Sequence, residues 1–355
     1  MHSVILKNDA VGDLVHSLSA INNITSSSEN KKITIFLSKL SENFAFLVKK
    51  KNVEIKVLNY HLKFIEKIKL IFFLSITKVE CVYIISPKSF YFLLPLIFWR
   101  IKFFAICVNN INNYKRPNIF LRKFLYKYMV NDREKIFRRD STRKLQEELT
   151  KSEKGNTKFK LIINTEQTNE LKKYLPKKYI YFHYKKKICE DLGWGLDELK
   201  ILFNAFSKYN KNIIFTRDID IYEIQRWKNG NKNLKINFEK EFNLYDFKSK
   251  KFTDNASNIL LLDNIVGKDL VSVIKNADQI VSFHGIMTLL GFVLDKNVLD
   301  LWHLKINSWN DYRNYRNAFY EFKPKSTNYE FTIPKKDIYK TIDKIRFSLK
   351  KCQKN

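Results

Sequence analysis

The sequence contains little glycine, proline or cysteine. Its 355 residues include only 8 glycines and 6 prolines, a scarcity that argues against a collagen-like, linker-rich or tight-turn all-β protein. The four cysteines, Cys81, Cys107, Cys189 and Cys352, are scattered and form no Cys-x-x-Cys pair. A disulfide scaffold and a zinc site are therefore not expected. We expect the protein to reside in a reducing compartment.

Acidic residues are outnumbered by basic ones. The chain has 65 lysines and arginines against 36 aspartates and glutamates, a formal net charge of +29. This surplus predicts an anionic partner, which charge alone does not identify as nucleic acid, a membrane surface or a phosphorylated substrate. The wealth of Lys, Asn, Ile and Phe is also typical of an AT-rich genome. A hydrophobic share of 45% excludes general disorder.

No apolar stretch is long and uncharged enough to predict a membrane span. The best candidate, Phe90–Val108, is interrupted by Pro95 and carries Arg100 and Lys102, and each charge would cost about 3 kcal/mol at the bilayer centre. We interpret it as a buried helix over Lys88–Lys102 followed by a strand. A helix that rests on a membrane surface stays open as the alternative. The short apolar N-terminus is interpreted as a first strand and not as a signal peptide.

Short β-rich runs alternate with amphipathic helical patterns in the first part of the chain. This alternation is typical of a parallel sheet with helices on both faces. The predicted strands are Ser3–Leu6, Lys32–Leu37, Val53–Leu58, Val79–Ile85 and Phe103–Val108. The predicted helices are Asp13–Asn22, Ser41–Lys50, Leu62–Ser75 and Lys88–Lys102. A charged segment, Asn131–Lys158, then predicts a connector between domains.

The same alternation restarts after Pro176. The predicted strands are Tyr179–Tyr184, Asn212–Thr216, Asn258–Leu262, Gln279–Phe283 and Asn297–Leu301. The predicted helices are Leu196–Ser207, Ile219–Lys228, Asp269–Asn276 and Ile286–Leu294. We therefore predict an α/β chain of two doubly wound, Rossmann-like domains, residues 1–165 and 166–355, which face each other across a crevice at the carboxyl ends of their strands.

Two strand-to-helix junctions carry residues suited to chemistry. In the first, a strand feeds the loop Lys7-Asn8-Asp9-Ala10-Val11-Gly12-Asp13, where Asp13 is equally suited to capping the next helix and to acting as a general base. In the second, a strand ends at Phe283-His284-Gly285 and a helix follows from Ile286. The free backbone N–H groups of such a helix start suit a phosphate group, and His284 adds a further hydrogen-bonding group.

Together the two junctions resemble the lipopolysaccharide heptosyltransferases, glycosyltransferase family 9. The first is similar to the family's strand followed by a Val-Gly-Asp or Ile-Gly-Asp turn, here Val11-Gly12-Asp13. The second is similar to the family's glycine-containing loop, Ala-Asp junction and donor loop, here within Leu262–Thr288. The resemblance spans about Ser3 to Trp302, with the middle matched by pattern alone.

The resemblance implies a GT-B fold with an acceptor-binding first domain and a nucleotide-sugar-binding second domain. It implies that Asp13 removes the acceptor hydroxyl proton, with Asp9 and Gly12 in the acceptor-side loop; from the residues alone, Asp9 and Asp13 are equally placed. The donor diphosphate is expected at His284, Gly285 and Ile286. A lysine after the first strand of the second domain is expected to serve the phosphates as well; of three consecutive candidates, we predict Lys187.

The chain departs from the family in its donor loop. The usual Asp-Ser-Gly or Asp-Thr-Gly, with a histidine three residues after the glycine, is replaced by Phe283-His284-Gly285 with Thr288 at the later position. The donor therefore stays open, with ADP-heptose as one possibility. Asp218-Ile219-Asp220 has the spacing of a metal-binding Asp-x-Asp motif but is interpreted as a helix start. We expect no metal and no cofactor, with helix dipole and basic side chains in place of a cation.

The predicted function is an inverting, metal-independent glycosyl transfer from a nucleotide sugar to a lipopolysaccharide-core or related glycan acceptor. The enzyme is expected in the cytoplasm, at the inner face of the inner membrane. Basic aromatic segments such as Leu62–Lys69 and Tyr114–Tyr128 are candidates for contact with anionic lipid or a phosphorylated glycolipid. The alternatives are a catalytically inactive GT-B-like binding protein and a nucleic-acid-binding protein. The basic run Lys135–Arg139 favours the second, but nucleic acid is not the expected partner, because no recognisable nucleic-acid module is present.

Overall fold

The computed structural model divides the chain into two compact units. It describes residues 2–26, 31–109, 119–132, 142–151, 169–209, 212–217, 238–302, 329–332 and 338–353. The described part of the first unit ends at residue 151, and that of the second begins at residue 169. The predicted boundary between residues 165 and 166 lies outside the described residues and stays a prediction. So do the Asp218–Asp220 motif, the Ile219–Lys228 helix and the Lys135–Arg139 run.

The described residues of the first unit form a sheet of six parallel strands in the order β3-β2-β1-β4-β5-β6. The strands are β1 His2–Lys7, β2 Lys32–Ser38, β3 Val53–Leu58, β4 Val79–Ile84, β5 Lys102–Asn109 and β6 Lys127–Asp132. The first five strands confirm the predicted ones to within two residues, since runs of β-branched and aromatic side chains suit a sheet covered on both faces. β6 has no counterpart among the predicted elements.

Helices cover both faces of this sheet. They are α1 Val11–Ser26, α2 Phe64–Ile76, α3 Leu94–Ile97, α4 Ile119–Arg122 and α5 Thr142–Thr150, with 3₁₀ turns at Glu42–Leu47 and Ser89–Leu93. α1 packs against α5, where Asn23 Nδ2 donates to Thr150 Oγ1 over 3.4 Å. α2, α3 and the chain just after α4 contribute to a single core cluster with β1, β4 and β5, and so lie on one sheet face.

The helix predicted over Lys88–Lys102 is wrong in its length. The chain instead forms the 3₁₀ turn Ser89–Leu93 and the one-turn helix α3, and it reaches β5 at Lys102. Pro95 explains the break, because a continuous helix would place its ring against a carbonyl of the preceding turn and leave that carbonyl without a donor. Among the described residues, no helix is both long and apolar enough to cross a membrane.

The described residues of the second unit form an eight-stranded sheet in the order β10-β9-β11-β8-β7-β12-β13-β14. All neighbouring strands are parallel except β9 and β10. The strands are β7 Ile180–Tyr184, β8 Ile213–Arg217, β9 Asn243–Asp246, β10 Lys251–Thr253, β11 Ile259–Asp263, β12 Gln279–Phe283, β13 Val298–Trp302 and β14 Tyr329–Thr332. Every strand predicted for this half is present, and β9, β10 and β14 were not predicted.

The helices of this unit pack onto an aromatic core. They are α6 Asn169–Tyr174, α7 Lys186–Leu192, α8 Leu196–Ser207, α9 Gly267–Asn276, α10 Ile286–Val293 and α11 Ile338–Gln353, with a 3₁₀ turn at Phe238–Lys240. Phe182 of β7, Phe203 of α8 and Phe283 of β12 are fully buried together with Trp194. Their ring centroids lie 5.7 to 6.0 Å apart in edge-on or tilted pairs, the geometry that aromatic quadrupoles favour.

The strand order reverses beside the first strand of each sheet. In the first unit, the chain moves from β1 outward to β3 and then returns to β4 on the other side of β1. In the second unit, it moves outward from β7 and returns to β12 on the other side of β7. Loops leave such neighbouring strands in opposite directions, so a ligand site forms at their carboxyl ends. The fold therefore marks two positions, one after β1 and β4 and one after β7 and β12.

Gly291 fixes the approach of α10 to the second sheet. A Cβ atom at this position would lie 2.7 Å from Val298 Cγ2 and 2.8 Å from Ile280 Cδ1, which is closer than carbon atoms pack. The helix therefore lies against β12 and β13 at a distance that only glycine permits. Because α10 begins at the end of β12, this contact also positions the start of the helix.

We predict that Gly291→Ala lowers the free energy of unfolding by about 1–2 kcal/mol. Alanine improves helix propensity by about 1 kcal/mol, but the overpacking against the sheet costs more. Urea unfolding followed by circular dichroism measures the difference. In a Val298→Ala background, which removes one of the two clashing groups, the penalty should shrink. A penalty that is equal or larger in that background would contradict the packing argument.

Candidate functional site

The edge after β1 and β4 holds a buried ion pair. Lys7 Nζ lies 2.8 Å from Asp9 Oδ2, and the Lys7 side chain is 2% exposed. Ser86 Oγ donates to the same carboxylate oxygen over 2.6 Å. A buried charge that lost its partner would destabilise the fold by several kcal/mol, so the pair holds both side chains in place. The other carboxylate oxygen, Asp9 Oδ1, is buried and accepts no hydrogen bond from the described residues.

Buried amide and phenol groups tie the neighbouring loops to this pair. Tyr91 OH donates to Asn8 Oδ1 over 2.5 Å, and Asn8 Nδ2 donates to the Asn59 carbonyl oxygen over 3.1 Å. Burial raises the pKa of Tyr91 well above its ordinary value, so the phenol remains a neutral donor. Because Asn8, Asn59 and Tyr91 follow β1, β3 and β4, this network fixes three strand ends to one another.

Asp13 has a different environment from Asp9. It lies in the first turn of α1 with an exposed side chain, as the sequence predicts for the start of a helix. Its carbonyl oxygen accepts a hydrogen bond from Ser17 Oγ over 2.9 Å, and Gly12 lies half-buried beside it in the same turn. The structure thus separates the two aspartates of the loop, since Asp9 is paired and mostly buried while Asp13 is accessible to a ligand.

Lys88 adds a basic group at this edge. Its Nζ donates to the Tyr60 carbonyl oxygen and lies 4.5 Å from the centre of the Tyr60 ring. Burial lowers the pKa of Lys88 to about 8, although the carboxylates of Asp9 and Asp13 oppose this shift. The ammonium group therefore loses its proton far more readily than an exposed lysine does.

The edge after β7 and β12 brings a lysine onto a glycine turn. Lys185 follows β7 directly, and its Nζ donates to the His284 carbonyl oxygen over 2.7 Å. A Cβ atom on Gly285 would lie 2.3 Å from that Nζ, so the ammonium group occupies the space that any other residue would take. α10 begins one residue later, at Ile286. A cation and the N-terminal N–H groups of a helix therefore meet at one turn, which suits an anion.

His284 is oriented by a carboxylate from the neighbouring strand. Its Nδ1 lies 2.7 Å from Asp300 Oδ2, and Thr288 Oγ1 donates to Asp300 Oδ1 over 2.9 Å. Asp300 lies in the middle of β13, and its side chain is 1% exposed. With the carboxylate ionised, Nδ1 is the nitrogen that carries the hydrogen, which fixes the tautomer and the ring plane.

A further ion pair lies at the same edge of the second sheet. Arg217 at the end of β8 donates from Nε to Asp263 Oδ1 over 2.7 Å, and its Nη2 pairs with Oδ2. Asp263 ends β11, the neighbour of β8. Such a two-point pair holds the guanidinium plane at the strand ends.

The structure brings together most of the residues predicted for this edge. His284, Gly285 and Ile286 form one turn at the start of α10. Of the three consecutive lysines after β7, Lys185 is the one with an ammonium contact to this turn, whereas Lys187 lies in the first turn of α7. Lys185 was one of the three candidate lysines but not the one predicted, and Asp300 was not among the predicted residues. The signal for Asp300 was a charged residue inside the apolar run Val298–Trp302.

The described residues contain no group of three histidine, cysteine or acidic side chains that could hold a metal ion. The Asp218-Ile219-Asp220 motif is outside those residues. The expectation that the chain needs no metal therefore stays a prediction.

No protein-family model and no curated protein matches the sequence. Solved structures match along the whole chain. Heptosyltransferase II of E. coli, an ADP-heptose lipopolysaccharide heptosyltransferase, is similar with a TM-score of 0.62 and 11% identity, over 99% of this chain and 100% of that one. E. coli heptosyltransferase WaaC with ADP-2-deoxy-2-fluoro heptose gives 0.60 and 11%, over 99% of both chains. The chain has the heptosyltransferase fold.

A solved structure from a second organism is also similar to this chain. A family 9 glycosyltransferase of Veillonella parvula DSM 2008 is similar with a TM-score of 0.58 and 10% identity, over 97% of this chain and 89% of that one. The predicted GT-B-like class and the resemblance to family 9 are confirmed at the level of the fold. Because one fold carries different reactions, the activity must be argued from the side chains at the two sheet edges.

We predict that one lysine of this heptosyltransferase fold titrates near pH 8. Reductive methylation with ¹³C-formaldehyde labels the lysines for NMR, and the Lys88 signal should shift near pH 8 because burial disfavours its charged form. Lys88→Arg should remove that signal. At the Lys88 side chain, the unfolded chain binds more protons than the folded one between pH 8 and 10, so the Lys88 contribution to the free energy of unfolding should rise with pH over this range.

The matched control is Lys78→Arg, at an exposed lysine of the same unit, which should leave the signal that shifts near pH 8 in place. If no lysine signal shifts near pH 8, the buried environment assigned to Lys88 is wrong.

Proposed function

We propose that the protein is a glycosyltransferase of the heptosyltransferase type. In this proposal it moves a sugar from a nucleotide-sugar donor to a lipopolysaccharide-core or related glycolipid or oligosaccharide acceptor, with inversion at the anomeric carbon and without a metal. It acts in the cytoplasm, at the inner face of the inner membrane. ADP-heptose is the first donor to test, because the fold is shared with an enzyme solved with an ADP-heptose analogue.

The observation that carries this proposal is the lysine over the glycine turn. Lys185 Nζ lies against the His284–Gly285 turn, directly before the N-terminus of α10. A nucleoside diphosphate is a compact anion that needs several donors and positive charge in a small space. The turn also lies beside the reversal of strand order, the position at which α/β sheets bind nucleotides.

His284 and Asp300 support the same site. Asp300 fixes the imidazole through Nδ1, so the direction of its other nitrogen, Nε2, is set as well. We propose that His284 accepts at Nε2 a hydrogen bond from a hydroxyl group of the donor sugar. Asp300 and Thr288 act as positioning residues, since they reach the donor only through His284.

Asp13 is the proposed base. Asp9 is held by the Lys7 ammonium and by Ser86, and its side chain is only 15% exposed, so an acceptor hydroxyl group has little access to it. Asp13 is exposed at the start of α1, where a hydroxyl group of an acceptor has access. We therefore assign acceptor orientation to Asp9 and Gly12 and proton removal to Asp13.

The proposed reaction is a single displacement. Asp13 takes the proton of the acceptor hydroxyl group. As the proton leaves, the oxygen of that hydroxyl group forms a bond to the anomeric carbon of the donor sugar. The bond from that carbon to the diphosphate oxygen breaks, and the electron pair leaves with the nucleoside diphosphate. Lys185 and the N–H groups at the start of α10 stabilise the negative charge that develops on the leaving group.

We predict that Lys185→Met weakens binding of the nucleoside diphosphate by about ten- to a hundredfold. The variant loses a charge-assisted hydrogen bond worth about 1.5–3 kcal/mol. Titration calorimetry with ADP, GDP, UDP and CDP, followed by the matching nucleotide sugars, measures the loss of affinity and identifies the nucleobase that the site prefers. Gly285→Ala should weaken binding similarly, because the added methyl group displaces the ammonium.

Lys187→Met is the matched control, since it removes the same charge two residues along the chain. The affinity of this variant for the nucleoside diphosphate should stay within about threefold of that of the wild type, because the charge that is removed does not lie at the Gly285 turn. If Lys187→Met has the larger effect, the phosphate contact belongs to the lysine that the sequence predicts. If no nucleotide binds the wild type, the donor site is wrong.

We predict that Asp13→Asn separates binding from turnover. Loss of a general base lowers the transfer rate by about a hundred- to ten-thousandfold, while the dissociation constant of the donor stays unchanged because Asp13 belongs to the other sheet edge. The assay follows release of the nucleoside diphosphate with inner-core lipopolysaccharide fragments as acceptors, in EDTA, and NMR of the product reports the anomeric configuration.

Glu42→Gln is the control for loss of an exposed carboxylate in the same unit and should transfer at the wild-type rate. Full activity of Asp13→Asn would remove this residue from the mechanism. Loss of activity in EDTA, with recovery on addition of Mg²⁺, would overturn the metal-independent reaction.

A further inference from the structure

Exposed large apolar side chains are concentrated in the first unit. Of the sixteen such residues among those described, thirteen lie in or beside α2, α3 and α4, and three lie in the second unit. Large apolar side chains that cluster at the surface of a water-soluble fold mark a contact with a partner or a membrane. The uneven distribution therefore marks one surface of the first unit, residues 61–78, 88–102 and 119–128, which we call the aromatic face.

α2 presents a continuous apolar stripe. Phe64, Ile68, Phe72 and Ile76 recur every four residues and are between 49% and 74% exposed, while Leu70 and Leu74 of the same helix are buried in the core. Residues four apart lie on the same side of a helix. α2 is thus apolar both toward the sheet and toward solvent.

The neighbouring segments extend the stripe. Trp99, just after α3, is 75% exposed, Leu96 and Ile97 of α3 are 43% and 52% exposed, and Phe120 of α4 is 56% exposed. Tyr128 of β6 is 43% exposed, and its register partner Ala105 belongs to the core cluster below these segments. Each of the segments contributes residues to that one cluster, which places the segments on one face of the first sheet.

The aromatic face is strongly basic. Its three segments contain ten lysines and arginines and one acidic residue, Glu66. The Glu66 carboxylate accepts hydrogen bonds from the backbone N–H groups of Asn59 and Lys63, over 2.7 and 2.9 Å. Arg100 lies 4.7 Å from the Trp99 ring centre, and Lys67 lies 5.6 Å from that of Phe90. Aromatic rings and cations are therefore interleaved over this surface.

We propose that the aromatic face binds anionic lipid bilayers, with the apolar side chains in the interfacial layer and the basic side chains on the headgroups. Large apolar and aromatic side chains combined with lysine and arginine are typical of helices that lie in a membrane interface. Tryptophan and tyrosine favour the same depth. A bilayer is favoured over a protein partner because both charge and apolar area match it across three segments. The inference stands apart from the proposed transfer reaction, and its test uses no nucleotide.

The test is flotation of the purified full chain with vesicles. Vesicles of phosphatidylcholine with 30% phosphatidylglycerol should carry the protein to the top of the gradient, and pure phosphatidylcholine should carry about tenfold less or lower. Binding should weaken as salt is raised, since the headgroup attraction is screened. Equal binding to both vesicle types, or none to either, would overturn the proposal.

Two variants probe the apolar and the basic part. Phe64→Ser/Phe72→Ser and Lys69→Glu/Arg100→Glu/Lys123→Glu should each lower vesicle binding at least about tenfold. The matched controls lie in the second unit: Tyr339→Ser/Phe347→Ser removes two exposed aromatic rings, and Lys248→Glu/Lys251→Glu/Lys275→Glu reverses three exposed charges. Both controls should bind like wild type, and thermal unfolding confirms that each variant is folded. Equal losses in variants and controls would assign binding to net charge or general apolarity and overturn the proposed surface.

The fluorescence of Trp99 provides a direct measurement of contact between the aromatic face and the lipid acyl chains. Lipids brominated on the acyl chains should quench part of the fluorescence, and Trp99→Phe should lose that quenching while it still binds, since phenylalanine keeps the apolar contact. If Trp99→Phe is quenched as strongly as wild type, this face is not in the bilayer. If Phe64→Ser/Phe72→Ser leaves flotation unchanged but shifts the mass in solution, the face joins two copies of the chain and the membrane proposal fails.

Discussion

The reversal of strand order beside β1 and beside β7 is the constraint on which the rest of the molecule depends. In each sheet the chain first adds strands on one side of the first strand and then continues on the other side. The loops that follow the two strands at this reversal leave the sheet in opposite directions, which opens a space at the carboxyl ends of the strands. Polar chemistry can enter at these two places without breaking the apolar layers on either side of the sheet. Asp9 and Ser86 meet at one of them, and Lys185 and His284 meet at the other.

Each of these places is held by a charge that is buried with its partner. Lys7 with Asp9, and Asp300 with His284, are pairs in which one side chain is almost entirely withdrawn from water. Their net contribution to stability is small, because desolvation offsets most of the attraction. Their effect is to leave few orientations open to the loops, which is what a site for an anion or a hydroxyl group requires.

Much of this organisation can be predicted from the sequence. Buried parallel strands need runs of Val, Ile, Leu and Phe, so ten strands were found, and the Gly12 and Gly285 junctions pointed to both sheet edges. Local pattern failed where the tertiary structure decides. Three consecutive lysines look alike until it is known that α7 begins at Lys186, which leaves Lys185 at the strand end. Asp300 reaches His284 from a neighbouring strand, a pairing that depends on strand order, and the chemical roles of Asp13 and His284 depend on ligands.

The cluster around Leu70 and Phe103 in the first unit and the cluster around Phe182 and Phe203 in the second have no described residue in common. A substitution that loosens one of these two clusters is therefore not transmitted to the other through shared side chains. Over evolutionary time, this leaves each half free to diverge at its own rate. Under the proposed division of roles, changes around Asp13 alter the choice of acceptor while the turn at Gly285 keeps the donor, so a new specificity needs changes in one unit only.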